Sequence, residues 1–174
     1  RLRVLLNMIT DKRLACSEEA AEFMFGRHCK DAVIIRNAIE IEKYLFNPAV
    51  RDRIREINNI GQNFLVGHVG RLCYQKNTLF LLDIYNEIHK KYPDSRLVII
   101  GDGEDRGIIE EKISKLGLTD NVIMTGVVNN VNEWMQAMDV FLLPSRFEGL
   151  PVVAIEAQAS GLPCVFSDTF SKAS

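Results

Sequence analysis

Residues 96–126 read RLVIIGDGEDRGIIEEKISKLGLTDNVIMTG. The stretch opens on a short apolar run, RLVII at 96–100, that ends in a Gly-Asp-Gly turn. A polar helix is predicted over about 104–116, with Ile108, Ile109 and Ile113 on one face, and a second apolar run, NVIMTG at 121–126, closes the stretch. Apolar run, amphipathic helix, apolar run is the pattern of one β-α-β unit in a parallel sheet buried on both faces. The unit repeats outward. FLVGHV at 64–69 precedes it, followed by a helical pattern over 78–91 carrying Leu81, Leu82, Ile84, Tyr85 and Ile88. Downstream come a short helix at 131–138 (VNEWMQAM), a strand at 140–144 (VFLLP), a helix from about Pro151 to Ser160, and a fifth strand at 163–167 (PCVFS). The fold class is therefore α/β, a parallel sheet covered by helices on both faces. Right-handed crossovers bring every strand's C-terminal end to one edge, and ligands bind along that edge.

The first sixty residues follow a different pattern. RLACS (13–17) and AVIIRN (32–37) are predicted strands around the helix SEEAAEFMFG (17–26), which Ser17 caps and Glu18 and Glu19 open. NPAVRDRIREINNI (47–60) is a charged amphipathic helix with Asn47 as cap and Pro48 as first residue, read as a linker between two lobes. The chain starts at Arg1 and stops at Ser174 just past a predicted strand, so the expectation is a fragment of a longer protein.

Composition excludes several classes. With 47% hydrophobic and 25% charged residues the chain can build a core. A net charge of −2 supplies no basic field for nucleic acid. Cys16, Cys29, Cys73 and Cys164 are scattered without C-x-x-C spacing, which argues against structural zinc and a disulfide framework and for a reducing interior. No apolar run reaches the ~18 residues of a membrane span, and no signal peptide is visible.

The chemistry gathers at strand ends. After the first strand comes GHVGRLCYQKN, where Gly67 and Gly70 allow close backbone approach and Arg71 and Lys76 offer a fork and a point charge for a diphosphate. Taken alone, the two cations read more readily as solvated surface charges. IIGDGEDRG spaces its glycines one residue too far apart for a dinucleotide fingerprint, so a tight turn is the preferred reading. Asp102 and Glu104 there are metal ligands or, more simply, helix caps. TGVVNN leaves backbone groups at Gly126, Val127 and Val128 for a base to meet, or is an ordinary loop.

SRFEGLPVVAIEAQASGLP (145–163) carries the strongest signal. Glu148 lies in a Gly/Pro turn and Glu156 inside the apolar helix that follows; burying a carboxylate without a partner costs several kcal/mol, so each reaches a surface or a ligand. Pro151 suits the first helical position, which leaves the amides of Gly149, Leu150 and Val152 at an open helix N-terminus, a phosphate site. Glu156 lies one turn past Val152, on the same edge, where a carboxylate suits a ribose diol, while Glu148 is placed for the sugar beyond the phosphates. Capping or salt-bridged glutamates remain the alternative for either residue.

The run GRLCYQKN, VIIGDGE and NVIMTGVVNNVNEWMQAMDVFLLPSRFEGLPVVAIEAQASGLPCVFSD resembles the nucleotide-sugar-binding domain of the retaining, metal-independent glycosyltransferases of two-Rossmann-domain architecture, family four or group 1. The resemblance covers about residues 64–168. It implies a Rossmann-like donor domain over 62–174, C-terminally truncated, a linker and helix over 43–61, and the tail of an acceptor-binding domain over 1–42. At 35–40 the chain reads IRNAIE, with Arg36, Ala38 and Glu40 where the family carries Pro, Gly and Asp. By resemblance, Arg71 and Lys76 neutralise the departing diphosphate, aided by Gly70 and the amides at 149–152. Glu156 holds the ribose, Glu148 positions the donor sugar as a catalytic residue with Arg71 and Lys76, and loop 126–128 receives the base. No metal or other cofactor is expected, and a UDP-sugar is the foremost donor. The implied activity is hexosyl transfer with retention to a glycan or lipid-linked acceptor, held by the missing N-terminal domain, in cell-surface polysaccharide synthesis. The implied setting is cytoplasmic or at the inner face of the membrane, with peripheral association of the full-length protein, and the fragment alone is expected to be inactive. Two other readings compete. A dinucleotide-dependent oxidoreductase needs a G-x-G-x-x-G turn that GHVGRL does not supply; a non-catalytic nucleotide-sugar-binding module stays open.

Overall fold

The computed structural model describes residues 7–149 and 151–168. Two sheets are present among them. The smaller pairs β1 (Arg13–Ala15) with β2 (Ala32–Ile34) in parallel, joined by α1 (Glu18–Phe25) and a 3₁₀ turn (Gly26–Asp31). Ser17 caps α1, its hydroxyl accepting from the Ala20 amide at 3.1 Å.

The larger sheet holds β3 (Leu65–Val69), β4 (Arg96–Ile100), β5 (Val122–Gly126), β6 (Val140–Leu143) and β7 (Cys164–Phe166) in the order β5-β4-β3-β6-β7, all parallel. The order reverses at β3: the chain first builds outward through β4 and β5, then returns to place β6 on the other side. Such a switch point leaves a crevice beyond the strand ends, because the two flanking connections leave on opposite faces.

Alternation along the strands sorts the core into two layers. Val66, Leu97, Ile99 and Leu142 face α3 (Thr78–Lys91) and α4 (Arg106–Lys115), where Leu81, Leu82, Tyr85, Ile109 and Ile113 are buried. Leu65, Val98, Ile100, Phe141 and Leu143 face the other layer, formed by α2 (Pro48–Ile57), α5 (Val131–Ala137) and α6 (Val152–Ala159). Ile108 departs from the sequence expectation; it is half exposed while Ile109 and Ile113 are buried, because Ile109 and Ile113, four residues apart, share the sheet-facing side of α4 and Ile108 lies off that stripe. Gly67 has to be glycine for packing: a Cβ there would lie 2.0 Å from Met138 Sδ.

The charged helix α2 starts as its sequence indicates, with Asn47 accepting from the Ala49 amide and Pro48 in the first turn. It packs firmly onto α5. Arg51 donates to the carbonyls of Gln136, Ala137 and Met138 and to Asp139 Oδ1, and the buried Arg55 donates to Ala137, Gly61, Asn63 and Asp139. The last carbonyls of a helix have no intrahelical donor, and two guanidinium groups satisfy those of α5. Asp139 Oδ2 also accepts the Leu65 amide at 2.7 Å, which ties the start of β3 to the same knot. No helix among the described residues is long and apolar enough to cross a membrane.

Candidate functional site

The loops at the sheet's C-terminal edge are laced together by backbone. Gly101 N donates to Gly126 O, Gly70 N to Ile100 O, and Leu72 N to Asp102 O. This close lacing explains the glycines of GDG, since a Cβ on Gly101 would lie 2.1 Å from Gly70 O and one on Gly103 2.3 Å from Leu72 O. Gly101 also holds φ at 129°, open to glycine alone. The motif is a packing device, as the tight-turn reading expected. At the end of β5, Ile99 faces Met124 but Ile100 faces Gly126, so the strand bulges at Thr125.

Beyond β3 and β6 lies a cavity of about 560 Å³. Gly70, Lys76, Glu148, Val152 and Glu156 line it, so five of the residues singled out from sequence converge there. Lys76 Nζ donates to Glu148 Oε1 at 2.6 Å, and the two side chains are only 15% and 7% exposed. Ser145 Oγ donates to the same oxygen at 2.8 Å, and Gln75 Nε2 reaches Oε2 at 3.3 Å. Gly70 gives the aliphatic stem of Lys76 room to lie against the loop: a Cβ there would sit 3.3 Å from it.

Other expected residues are placed elsewhere. Arg71 is 72% exposed and turned toward Glu104, Nη2 to Oε2 at 3.0 Å, outside the cavity lining. Glu104's carboxyl lies below its ordinary range, first through a backbone hydrogen bond at its own residue and then through Arg71. Gly126, Val127 and Val128 do not line the cavity; the residues just after them, Asn129, Val131 and Asn132, do. Gly149 is exposed and outside the lining, and Leu150 lies outside the described residues. Pro151 is not the first helical residue but the cap before it (φ −71°, ψ 119°), and the helix begins at Val152. The lining at this helix start is Pro151, Val152 and Val153. Asp102 accepts the Gly103 amide at 2.8 Å, and among the described residues no group of three or more His, Cys, Asp or Glu is arranged to hold a metal.

Two residues coupled to the carboxylates of this cavity escaped the sequence reading. Tyr44, from the 3₁₀ turn Ile41–Tyr44, donates its hydroxyl to Glu156 Oε1 at 2.6 Å. Burial first, then the Glu156 bond and charge, then the Glu40 charge, hold this phenol above its usual range, so it stays protonated. Nothing in the short, aperiodic turn signals a partner more than a hundred residues away. His68 is the second. It is fully buried in β3, Nδ1 stands 2.9 Å from Leu142 O, and Nε2 has no hydrogen-bond partner among the described residues. Burial pushes its pKa down to about 4, with the Leu142 bond and the Glu148 charge opposing and Lys76 adding. The ring is therefore neutral at pH 7, with its proton on Nδ1 facing the carbonyl. A histidine inside an apolar strand was a legible signal, since such residues are seldom fully buried without a reason.

Known proteins of similar sequence and fold identify the family. The profile of the family described as Glycosyl transferases group 1 matches residues 63–173. The chain belongs to this family. EpsF of Bacillus subtilis (strain 168), named as a glycosyltransferase, is 36% identical over 162 residues, covering 91% of this chain and 42% of EpsF. The Escherichia coli UDP-Gal:alpha-D-GlcNAc-diphosphoundecaprenol alpha-1,3-galactosyltransferase is 36% identical over 141 residues, 78% of this chain and 36% of that protein. Among solved structures, Anabaena Alr3699/HepE in complex with UDP and glucose superposes with a TM-score of 0.87 at 25% identity, covering 97% of this chain and 48% of HepE. The group 1 glycosyltransferase chain described here thus spans less than half the length of these relatives, and its five-stranded unit is a Rossmann-like domain of the two-domain architecture.

Proposed function

We propose that this chain supplies the donor side of a transferase that moves a sugar from a nucleotide-diphosphate sugar, a UDP-sugar foremost, to a glycan or lipid-linked acceptor with retention of anomeric configuration. The observation that carries the reading is the convergence of Lys76, Glu148, Glu156 and the start of α6 in one cavity at the sheet's switch point. The HepE structures with UDP and with UDP-glucose, and the UDP-Gal and diphosphoundecaprenol in the name of the Escherichia coli relative, support the donor and the acceptor class. Relatives named for Vi polysaccharide and amylovoran biosynthesis support a place in polysaccharide assembly. The proposed setting is the cytoplasm or the inner face of its membrane.

In this reading Lys76 meets the diphosphate from a nearly dry position, where a fixed cation stabilises charge developing on the leaving group more strongly than in water. The start of α6 adds free amides to the same anion. Arg71 leaves Glu104 for the diphosphate when the ligand arrives, an exchange that costs little between exposed groups. Glu148 Oε2, which accepts a long bond from Gln75 at 3.3 Å, takes a hydroxyl of the donor sugar. Glu156 accepts the ribose hydroxyls, and Asn129 and Asn132, which line the cavity, receive the base. These cations take the part a divalent ion plays in other transferases. Calorimetry with UDP-, GDP- and ADP-sugars tests the reading: a UDP-sugar is expected to bind equally well with EDTA and with Mg²⁺. Binding that requires the added ion would overturn the metal-free site and direct attention to Asp102 and Glu104.

A further inference from the structure

Tyr44 stands on the boundary between two hollows. Glu156 lines the nucleotide cavity of about 560 Å³ and also a second one of about 470 Å³, shared with Ala38, Ile39 and Glu40. A flexible carboxylate between two openings has more than one place to go. The Tyr44 hydroxyl removes that freedom by donating to Oε1 at 2.6 Å, a charge-assisted bond of ordinary length for its class. The turn that presents Tyr44 is itself pinned to α5: Asn132 Nδ2 donates to Lys43 O at 3.1 Å, and the Asn47 amide donates to Gln136 Oε1 at 2.8 Å. The phenol ring packs against the core layer of α2, α5 and α6. It is thus a fixed donor aimed at a movable acceptor.

We infer that Tyr44 is a positioning residue that orients Glu156 and so sets discrimination for the ribose hydroxyls of the bound nucleoside diphosphate. The inference rests on the donor-site reading above. With Oε1 engaged, Oε2 is turned to the nucleotide, and the ribose meets an acceptor already in place rather than one it must capture. Removing the Tyr44 hydroxyl leaves the cavity walls intact but lets the carboxylate sample the second hollow. The loss therefore falls on the part of affinity that the ribose hydroxyls supply.

The test is calorimetric titration of the full 174-residue chain with UDP and with 2′,3′-dideoxy-UDP, for the native protein, Tyr44→Phe, Glu156→Ala and the double variant. The native chain is expected to prefer UDP by roughly tenfold or more, the scale of one hydrogen bond to a charged group. Tyr44→Phe is expected to bind dideoxy-UDP as the native chain does and UDP several-fold more weakly, narrowing the preference. In the Glu156→Ala background the same change is expected to do nothing. Equal loss for both nucleotides would make Tyr44 a mere wall and overturn the inference, as would native discrimination in Tyr44→Phe. A native chain that binds UDP and dideoxy-UDP alike removes the ribose role of Glu156 itself, which is the failure of the underlying reading. The double variant protects the test against a folding artefact, because a defect unrelated to Glu156 persists in the alanine background.

Discussion

Lys76 and Arg71 leave the end of the same strand in one loop, and each meets a glutamate. Lys76 and Glu148 are 15% and 7% exposed; Arg71 and Glu104 are 72% and 56% exposed. Both cations were assigned the same diphosphate from sequence, yet the fold places Lys76 in the cavity lining and Arg71 outside it. The difference is one of commitment. An exposed ion pair contributes about 0–1 kcal/mol, so it yields to a better partner. A pair taken out of water cannot lose one member cheaply, since the remaining charge stays buried and unpaired. Lys76–Glu148 is therefore part of the architecture, whereas Arg71–Glu104 is an exchangeable contact.

Breaking the inner pair is expected to give the largest effect. Lys76→Met should cost about 3 kcal/mol or more in urea unfolding, the low end of the range for a broken buried pair, because Ser145 and Gln75 still hold Glu148. Lys76→Met with Glu148→Gln should regain most of that, since no charge is then left stranded. A cost no larger than that of Arg71→Ala would erase the distinction between the pairs.

His68 sharpens the comparison from below, since it lies in the field of Lys76 and Glu148. Its pKa is depressed in the folded state to about 4, from 6.5 unfolded. The unfolded chain therefore takes up a proton first as pH falls. The stability of the neutral ring is complete above pH 6.5 and is lost between 6.5 and about 4, amounting to about 3 kcal/mol. Urea midpoints across this window should fall steeply for the native chain and less so for His68→Asn, which keeps a donor for Leu142 O. Parallel slopes would mean the ring is not held neutral.

Glu156 stands between the extremes, half-buried and bonded to Tyr44. Glu156→Ala should weaken UDP binding by about 1.5–3 kcal/mol with the fold intact, and unchanged affinity would separate it from the ribose. The smallest effect on stability is expected at Arg71. Arg71→Ala should shift unfolding by less than about 0.5 kcal/mol, while UDP affinity falls and uridine affinity does not. Equal effects on UDP and uridine would show that Arg71 never leaves Glu104 for the diphosphate.

Local pattern alone determined much of this protein. Strands buried on both faces must be apolar throughout and helices amphipathic, so β3 to β7 and their helices were legible from 64 onward, and α3 falls on its predicted residues 78–91. Caps were legible for the same reason: Ser17 and Asn47 act on amides within a few residues. The Glu148 and Glu156 constellation could be read because Glu148 lies in the turn before α6 and Glu156 one turn inside it, so a single local element carries both. Tertiary structure decided the rest. Whether Pro151 is the cap or the first helical residue depends on the incoming loop. That Asn129, Val131 and Asn132 rather than residues 126–128 line the cavity is a matter of the loop's course across the assembled sheet edge, which no local preference announces. Arg71 and Lys76 differ in fate only because β6 brings Glu148 back beside one of them. Tyr44 meets Glu156 because α2 folds onto α5 and returns the preceding turn to the sheet's edge. Propensity and periodicity act over a few residues; which distant charge a side chain meets follows from strand order, and strand order is a property of the assembled sheet.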